Sequence, residues 1–221
     1  MNLATQLAAI RGISELTTTE RALHFCRLAK ELEKAGEYEA ACGALAEFWP
    51  ERAIAPIVEG LDLNAAADLL LRAGALSGWL GSARQARAQE SAKDFITRSI
   101  EIYEELGDDD RVAEARSDLA LCYMREGAFD EARITFKEAL SKLKDEAGDL
   151  RATILIRAGI VEERAGCFAD ALRLYKESAP LVEESAEDAL KGSLYLNLGA
   201  VYTRLAEAEG REDYRDLALI Q

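Results

Sequence analysis

Apolar and small residues recur along the chain at the spacing of one helix face, and a glycine separates two such helices. The clearest pair has apolar positions at Leu119, Ala120, Tyr123, Ala132, Phe136 and Ala139. Alternation of large and small residues lets two antiparallel helices approach closely. Gly127 lies between them and predicts the end of the first helix, because a left-handed terminal residue costs least when it is glycine. Phe129 and Phe168 are predicted to open the second helices of two such pairs.

The whole pattern is repeated. Residues 158–178 follow the pattern of residues 119–139 with a shift of 39 positions, and Leu198-Gly199-x-x-Tyr202 begins a further copy 40 positions later. Weaker copies start near Phe25 and Leu70. A period of this size is typical of a stacked repeat array, in which each unit needs a neighbour to bury its apolar face. The glycines at the helix crossings are predicted to serve helix packing.

The small-large pattern with a glycine before the turn resembles the tetratricopeptide repeat family. The resemblance covers about nine-tenths of the chain and implies an all-α fold. It implies a solenoid of helical hairpins, a right-handed superhelix of about five helix pairs. The expected units are residues 20–49, 65–106, 112–146, 150–187 and 190–221, the last one incomplete. Residues 1–19 are expected to form an N-terminal helix or lead-in.

Composition supports a nearly all-helical chain, with 49% hydrophobic residues and only three prolines among 221 residues. Pro50 predicts a helix stop, and residues 51–60 predict a short helix or an extended link. Pro180 predicts a kink or the last turn of its helix. Residues 82–89 lack glycine and proline, which favours longer helices at this stretched turn.

No catalytic, cofactor or metal site is predicted. The four cysteines, Cys26, Cys42, Cys122 and Cys167, are far apart and are interpreted as small buried hydrophobic residues in a reducing cytoplasm. His24 is the single histidine and has no partner at ligand spacing. The chain is therefore predicted to be a non-enzyme. No apolar run reaches the roughly 20 residues of a membrane helix, and no secretory signal begins the chain, so a cytoplasmic location is expected.

The resemblance implies that the first helix of each pair lines an inner, concave wall. Two recurring positions on these helices are predicted to face inward. They are occupied by Arg27, Arg72, Asp118, Arg157 and Asn197, and by Lys34, Trp79, Arg125, Arg164 and Arg204. Seven of these ten residues are basic, although the chain carries 27 basic against 41 acidic residues. The partner-binding groove is predicted at Arg72, Trp79, Arg125, Arg157, Arg164, Asn197 and Arg204.

A basic concave site attracts anionic ligands. Apolar residues are expected beside the cations at Leu121, Met124, Ile156, Ile160, Leu196 and Ala200. The predicted function is a protein–protein interaction scaffold that binds an acidic and apolar peptide segment. The competing interpretation is that the arginines only pair with nearby carboxylates, for which Glu126, Glu162, Glu163 and Glu207 are available.

The alternative function is a ligand- or peptide-sensing regulatory domain of a bacterial signalling or transcription regulator. A nucleic-acid scaffold is least favoured, because the net charge of −14 repels phosphate. Leu217, Leu219 and Ile220 lie at an open end of the last predicted unit. That end favours a fragment of a larger bacterial repeat protein, or a homo-oligomer formed through this edge.

Overall fold

The computed structural model describes residues 16–52, 54–81, 86–144, 148–210 and 212–220, which contain ten α-helices and no strand. The helices are α1 (Thr18–Lys34), α2 (Tyr38–Leu45), α3 (Leu63–Leu80), α4 (Ala86–Leu106), α5 (Asp109–Glu126), α6 (Phe129–Lys142), α7 (Gly148–Arg164), α8 (Phe168–Glu184), α9 (Asp188–Glu209) and α10 (Glu212–Ile220). Within these ranges, four consecutive pairs pack as hairpins, namely α1–α2, α3–α4, α7–α8 and α9–α10. The all-α hairpin fold predicted from the sequence is confirmed.

The chain divides into two compact units. Unit 1 comprises Met1–Cys122, and unit 2 comprises Tyr123–Gln221. One core of unit 1 is built around Phe25, Leu45 and Leu69, and a second around Ile96 and Tyr103. The core of unit 2 contains Ile156, Tyr175, Val201 and Leu205. Each core is filled from several helices, so a single hairpin cannot bury its own apolar face.

Left-handed glycines follow several of the helices, among them Gly36 after α1, Gly127 after α5, Gly166 after α7 and Gly210 after α9. Gly127 has φ +80°, and the next residue, Ala128, donates its backbone N–H to the carbonyl of Tyr123 at 3.0 Å. Gly166 has φ +79°, and Cys167 donates in the same way to Glu162 at 2.8 Å. The hydrogen bonds satisfy helix carbonyls that would otherwise lack partners. The predicted helix ends, and the starts of α6 and α8 at Phe129 and Phe168, are confirmed.

Two hairpins have the stretched turns that the sequence indicated. In the second hairpin, α3 ends before Gly81. The backbone of Gly81 is extended, with φ −66° and ψ 113°, and is not left-handed. Residues 82–89 are predicted from the sequence to be helical. Helix α4 begins at Ala86, which confirms the prediction for residues 86–89, and residues 82–85 lie outside the described ranges. In the last hairpin, α9 continues beyond Leu205 to Glu209 and ends at Gly210 with φ +65°.

The prolines behave differently from each other. Helix α2 has only 8 residues and ends at Leu45, before Pro50. The described part of residues 46–62 contains no helix, so the link between α2 and α3 is a loop. Helix α8 continues through Pro180 to Glu184, which places the proline about one turn before the helix end. The predicted lead-in, residues 1–19, lies mostly outside the described ranges; α1 starts at Thr18, behind a capping box of Thr17 and Glu20.

Two glycines allow paired helices to approach closely. A Cβ on Gly159 would lie 2.2 Å from the ring of Tyr175 in the facing helix α8. A Cβ on Gly74 would lie 2.6 Å from Ile96 in α4. Real Cβ atoms do not approach other carbons to these distances, so each position requires glycine. The predicted packing role of both glycines is confirmed.

Candidate functional site

Arg72, one of the predicted groove residues, is a buried ion in unit 1. It is only 4% exposed and lies on α3. Its guanidinium contacts three carboxylates, Glu33 at 2.9 Å, Glu114 at 2.9 Å and Asp118 at 3.4 Å. Asp118, also predicted to face a groove, is 6% exposed. These two residues bind each other inside unit 1, so neither presents its charge to solvent.

The cluster around Arg72 is extended by two further cations. Lys30 contacts Glu114 at 2.9 Å, and Arg111 contacts it at 2.6 Å. Burial by itself would raise the pKa of Glu114, but Arg72, Arg111 and Lys30 lower it to about 2. Burial by itself would lower the pKa of Arg72, and the carboxylates of Glu33, Glu114 and Asp118 outweigh that effect and raise it. Glu114 and Arg72 therefore both remain charged at neutral pH.

The same cluster includes a buried tyrosine. Arg111 lies over the ring of Tyr103, 5.1 Å from its centroid, and donates a hydrogen bond to its hydroxyl at 2.8 Å. Asp68 binds both Arg111 and the Tyr103 hydroxyl. Burial raises the pKa of Tyr103, so its hydroxyl stays protonated. The network joins α1, α3, α4 and α5 through side chains that are far apart in the sequence.

Trp79 is placed at the other end of α3 and is 46% exposed. Its ring stacks on that of Tyr38, the first residue of α2, with centroids 5.1 Å apart and planes 17° apart. The pair is an exposed aromatic surface of unit 1. Offset stacking of this kind holds both rings in place and leaves a flat face toward solvent.

The remaining predicted groove residues belong to unit 2. Arg157 and Arg164 lie on α7, and Asn197 and Arg204 lie on α9, which packs against α7. Arg164 and Arg204 are exposed, whereas Arg157 and Asn197 are half-buried. Arg125, at the end of α5, is half-buried as well. Helices α7 and α9 are therefore neighbours, and each carries two of the predicted groove residues.

Local partners of these side chains are weak or short-range. Arg204 contacts Glu207 at 3.6 Å, and both side chains are about 60% exposed. Exposed pairs of this kind contribute about 0–1 kcal/mol. The amide of Asn197 donates to the carbonyl of Ser193 at 2.7 Å, which leaves its own carbonyl oxygen for another donor.

The predicted apolar companions differ in their environment. Leu121, Met124 and Ile156 are buried, so the expectation that they face a groove is wrong, and they belong to the cores. Ile160 and Ala200 are half-buried. Leu196, next to Asn197 on α9, is 76% exposed. A single large apolar side chain therefore stands beside the polar residues of α9.

A bidentate ion pair in unit 2 was not expected from the sequence. Arg133 on α6 holds Glu162 on α7 through Nε at 2.8 Å and Nη2 at 2.7 Å. The same guanidinium contacts Asp130 at 2.7 Å and the thiol of Cys167 at 3.6 Å. Glu162, predicted as a partner of a groove arginine, is thus engaged by Arg133.

Three possible metal ligands converge beside this pair. A carboxylate oxygen of Glu162, the Sγ of Cys167 and a carboxylate oxygen of Asp170 lie within 4.8 Å of one another. The guanidinium of Arg133 already contacts both Glu162 and Cys167. A cation would have to displace Arg133, so the arrangement is explained by the ion pair without a metal.

Three of the four cysteines are buried, namely Cys26, Cys42 and Cys122, here called the buried thiols. Burial raises the pKa of Cys26 to about 12 and that of Cys42 to about 11, so both stay protonated. Cys167 differs from the prediction, because it is half-buried at the start of α8.

The predicted groove residues of α7 and α9 are three arginines and one asparagine, and such groups can bind anions. Within the described residues, no helix combines the length and apolar character needed to cross a bilayer.

Comparison with known proteins supports the repeat architecture. Among solved structures, the chain is similar to BtubC (BKLC) from P. vanneervenii, with a TM-score of 0.62 and 17% identity over 99% of this chain and 90% of that one. It is also similar to the apo form of RapI, with a TM-score of 0.41 and 12% identity over 93% of this chain and 68% of that one. No curated protein matches the chain. Residues 71–145 match the tetratricopeptide repeat family. Residues 71–145, about a third of the chain, therefore resemble tetratricopeptide repeats, a family whose members generally serve as scaffolds for protein interaction.

Proposed function

We propose that unit 2 binds an acidic, partly apolar segment of a partner protein along the exposed sides of α7 and α9. The observation that carries the proposal is Leu196, which remains 76% exposed beside Asn197 on a helix that also presents Arg204. Fully burying a leucine contributes about 1.5–3 kcal/mol, so a partner that covers it gains much of that amount.

The positions of the charges support an extended contact. Arg157, Ile160 and Arg164 follow one another at intervals of three and four residues on α7, so they share one side of that helix. Leu196, Ala200 and Arg204 follow at intervals of four on α9. Each helix therefore combines a cation with an apolar side chain, and the two helices pack against each other.

The energetic cost of recruiting Arg204 is small. Within the described residues it makes an exposed contact with Glu207, and a carboxylate of a ligand can replace that contact at little cost. Arginine also binds a carboxylate in bidentate fashion, which favours acidic side chains over isolated polar ones. Arg72 is not part of this proposal, because its three carboxylates already surround it.

The test compares two charge-reversed variants with equal net change. The groove variant carries Arg157→Glu, Arg164→Glu and Arg204→Glu; the control variant carries Lys137→Glu, Arg173→Glu and Lys176→Glu at exposed positions of the second helices. The probe is a fluorescein-labelled amphipathic peptide of glutamate and leucine, measured by anisotropy after circular dichroism has shown that both variants are folded. We expect at least tenfold weaker binding for the groove variant than for the control.

Equal losses in both variants would overturn the proposal, since they would show only a general charge effect. A single-stranded oligonucleotide bound with the same dependence on the groove arginines would favour a nucleic-acid scaffold instead. Capture from the source lysate with the same variants would then identify the partner. The sensing alternative stays a prediction, tested by small-angle scattering with and without the bound peptide.

A further inference from the structure

A long loop between α2 and α3 closes on itself. Residues 46–62 connect the two helices, which is more than the roughly 12–15 residues beyond which such connections are usually functional or disordered. Ile57 donates its backbone N–H to the carbonyl of Phe48 at 2.7 Å, and the indole of Trp49 donates to the carbonyl of Ile54 at 3.0 Å. Compact surface loops with adjoining ends are frequently functional.

Buried side chains anchor the base of the loop in unit 1. Phe48 is 6% exposed and Trp49 3% exposed, and both belong to the core around Phe25, whose ring lies 6.2 Å from that of Phe48. Pro56 is buried as well. The loop is therefore held at several points along its length.

Despite these anchors, the loop presents two isoleucines to solvent. Ile54 is 57% exposed and Ile57 is 48% exposed. The backbone of both residues is hydrogen-bonded to the anchored base of the loop, at Phe48 and Trp49. Exposed apolar side chains grouped on a fixed segment are typical of interaction sites.

The charges around the isoleucines are acidic. Glu51 and Glu59 are exposed, and the only basic side chain of the loop, Arg52, is engaged by Glu39 of α2. We call Glu51, Ile54, Ile57 and Glu59 the loop surface. An apolar centre with an acidic rim fits a ligand with an apolar centre and a basic rim.

We propose that the loop surface docks a basic, amphipathic segment of a partner protein. Charge selects this occupant over two others. A second copy of this chain carries a net charge of −14, which opposes association overall, and self-association through its unit 2 cations is an outcome of the test. The headgroups of an anionic membrane would be repelled for the same reason. The site lies in unit 1 and is independent of the acidic segment proposed for unit 2.

The experiment uses a fluorescein-labelled amphipathic peptide of lysine and leucine, with a lysine–serine peptide as the probe without apolar residues. Binding to the full chain is measured by anisotropy. We expect Ile54→Ser with Ile57→Ser to weaken binding of the lysine–leucine peptide about tenfold. The matched control is Ile134→Ser, which removes a side chain that is 60% exposed on α6 in unit 2 and should leave the affinity unchanged.

The acidic rim is tested separately. Glu51→Lys with Glu59→Lys should weaken binding about tenfold and reduce its salt dependence. Glu105→Lys with Glu131→Lys introduces the same charge at exposed positions elsewhere and should have a clearly smaller effect. Tryptophan fluorescence is measured on a Trp79→Phe background, where it reports Trp49 alone, and an unchanged spectrum shows that each variant keeps the native loop.

Three results overturn the proposal. One is unchanged affinity after Ile54→Ser with Ile57→Ser, or an equal loss after Ile134→Ser. Another is self-association in sedimentation that these two serines abolish, which assigns the loop surface to a second copy. The last is loop-dependent binding to vesicles of phosphatidylcholine and phosphatidylserine. The groove variant of unit 2 should bind the lysine–leucine peptide like the wild type, so failure here leaves the proposed function of unit 2 untouched.

Discussion

Replacing Arg72 with methionine should strongly destabilise unit 1. The substitution keeps an apolar chain of similar length and removes a cation that is 4% exposed and contacts three carboxylates. Lys30 and Arg111 both remain on Glu114, but Glu33 and Asp118 lose their contact with Arg72. Removing one partner of a buried ion pair typically costs about 3–5 kcal/mol, and we expect a loss in that range.

The two tryptophans of the chain make the assay specific for this unit. Trp49 and Trp79 both lie in unit 1, so tryptophan fluorescence during urea unfolding follows unit 1 alone. Far-ultraviolet circular dichroism follows the helices of both units. The expected result is a fluorescence midpoint shifted to lower urea, with a second, less affected transition by circular dichroism.

Arg204→Met is the matched control, because its side chain is 62% exposed and its single pair with Glu207 is at the surface. It should change the free energy of unfolding by no more than about 0.5 kcal/mol. Adding Glu33→Gln and Asp118→Asn to Arg72→Met should recover part of the loss, since two of the buried charges that contacted Arg72 are then removed. A loss below about 1 kcal/mol for Arg72→Met would refute the reasoning.

Three further predictions concern packing, titration and thiol access. Gly159→Ala should destabilise unit 2 by about 1–3 kcal/mol, because the new Cβ meets the ring of Tyr175. Gly192→Ala, in the open part of α9, should stabilise unit 2 by about 0.5–1 kcal/mol. Urea unfolding followed by circular dichroism compares the two variants. The folded-state pKa of Glu114 lies at about 2, below the 4.5 of an unperturbed carboxyl. Ionised Glu114 therefore contributes about 3 kcal/mol to the free energy of unfolding above pH 4.5, and this contribution is lost as the pH falls toward 2. Fluorescence midpoints between pH 7 and pH 3 should therefore decline, and a constant midpoint would contradict the assignment. Native protein should react with a thiol reagent at Cys167 well before the buried thiols, and fast labelling of the Cys167→Ser variant would show that burial does not protect them.

The repeat pattern predicts the hairpins because it records contacts within each hairpin. A small residue at the crossing makes room for an aromatic residue on the facing helix, as Gly159 does for Tyr175. Turn glycines such as Gly127 are also a local feature, because only the positive φ of that one residue requires glycine. These features are therefore visible in a sequence without any knowledge of longer-range contacts.

The burial of Arg72 depends on residues of other helices and is not visible in its own helix. Its position in the repeat is the same as that of Arg157, which is half-buried. The difference arises from Glu33 and Asp118, which reach Arg72 from α1 and α5. One signal was available: Arg72 and Asp118 occupy equivalent positions of successive repeats and carry opposite charges, which indicates a pair across neighbouring helices.

In the loop between α2 and α3, too, the sequence predicts the local structure but not the exposure of individual side chains. Pro50 predicts a helix stop and residues 51–60 a short helix or an extended link, and the described part of this connection contains no helix. Ile54 and Ile57 are exposed on a segment whose backbone is hydrogen-bonded to Phe48 and Trp49, and the burial of these two side chains is set by tertiary packing.

The buried ions of unit 1 constrain how this protein can change over evolutionary time. A substitution of Arg72 alone removes the buried cation that Glu33, Glu114 and Asp118 share, so it is deleterious while these carboxylates are present. Only joint replacements, such as a set of apolar residues of similar volume, preserve stability. The effect of each residue therefore depends on its partners, and homologous sequences should retain or lose these charges together. Exposed pairs such as Arg204 and Glu207 carry no such coupling and can diverge one residue at a time.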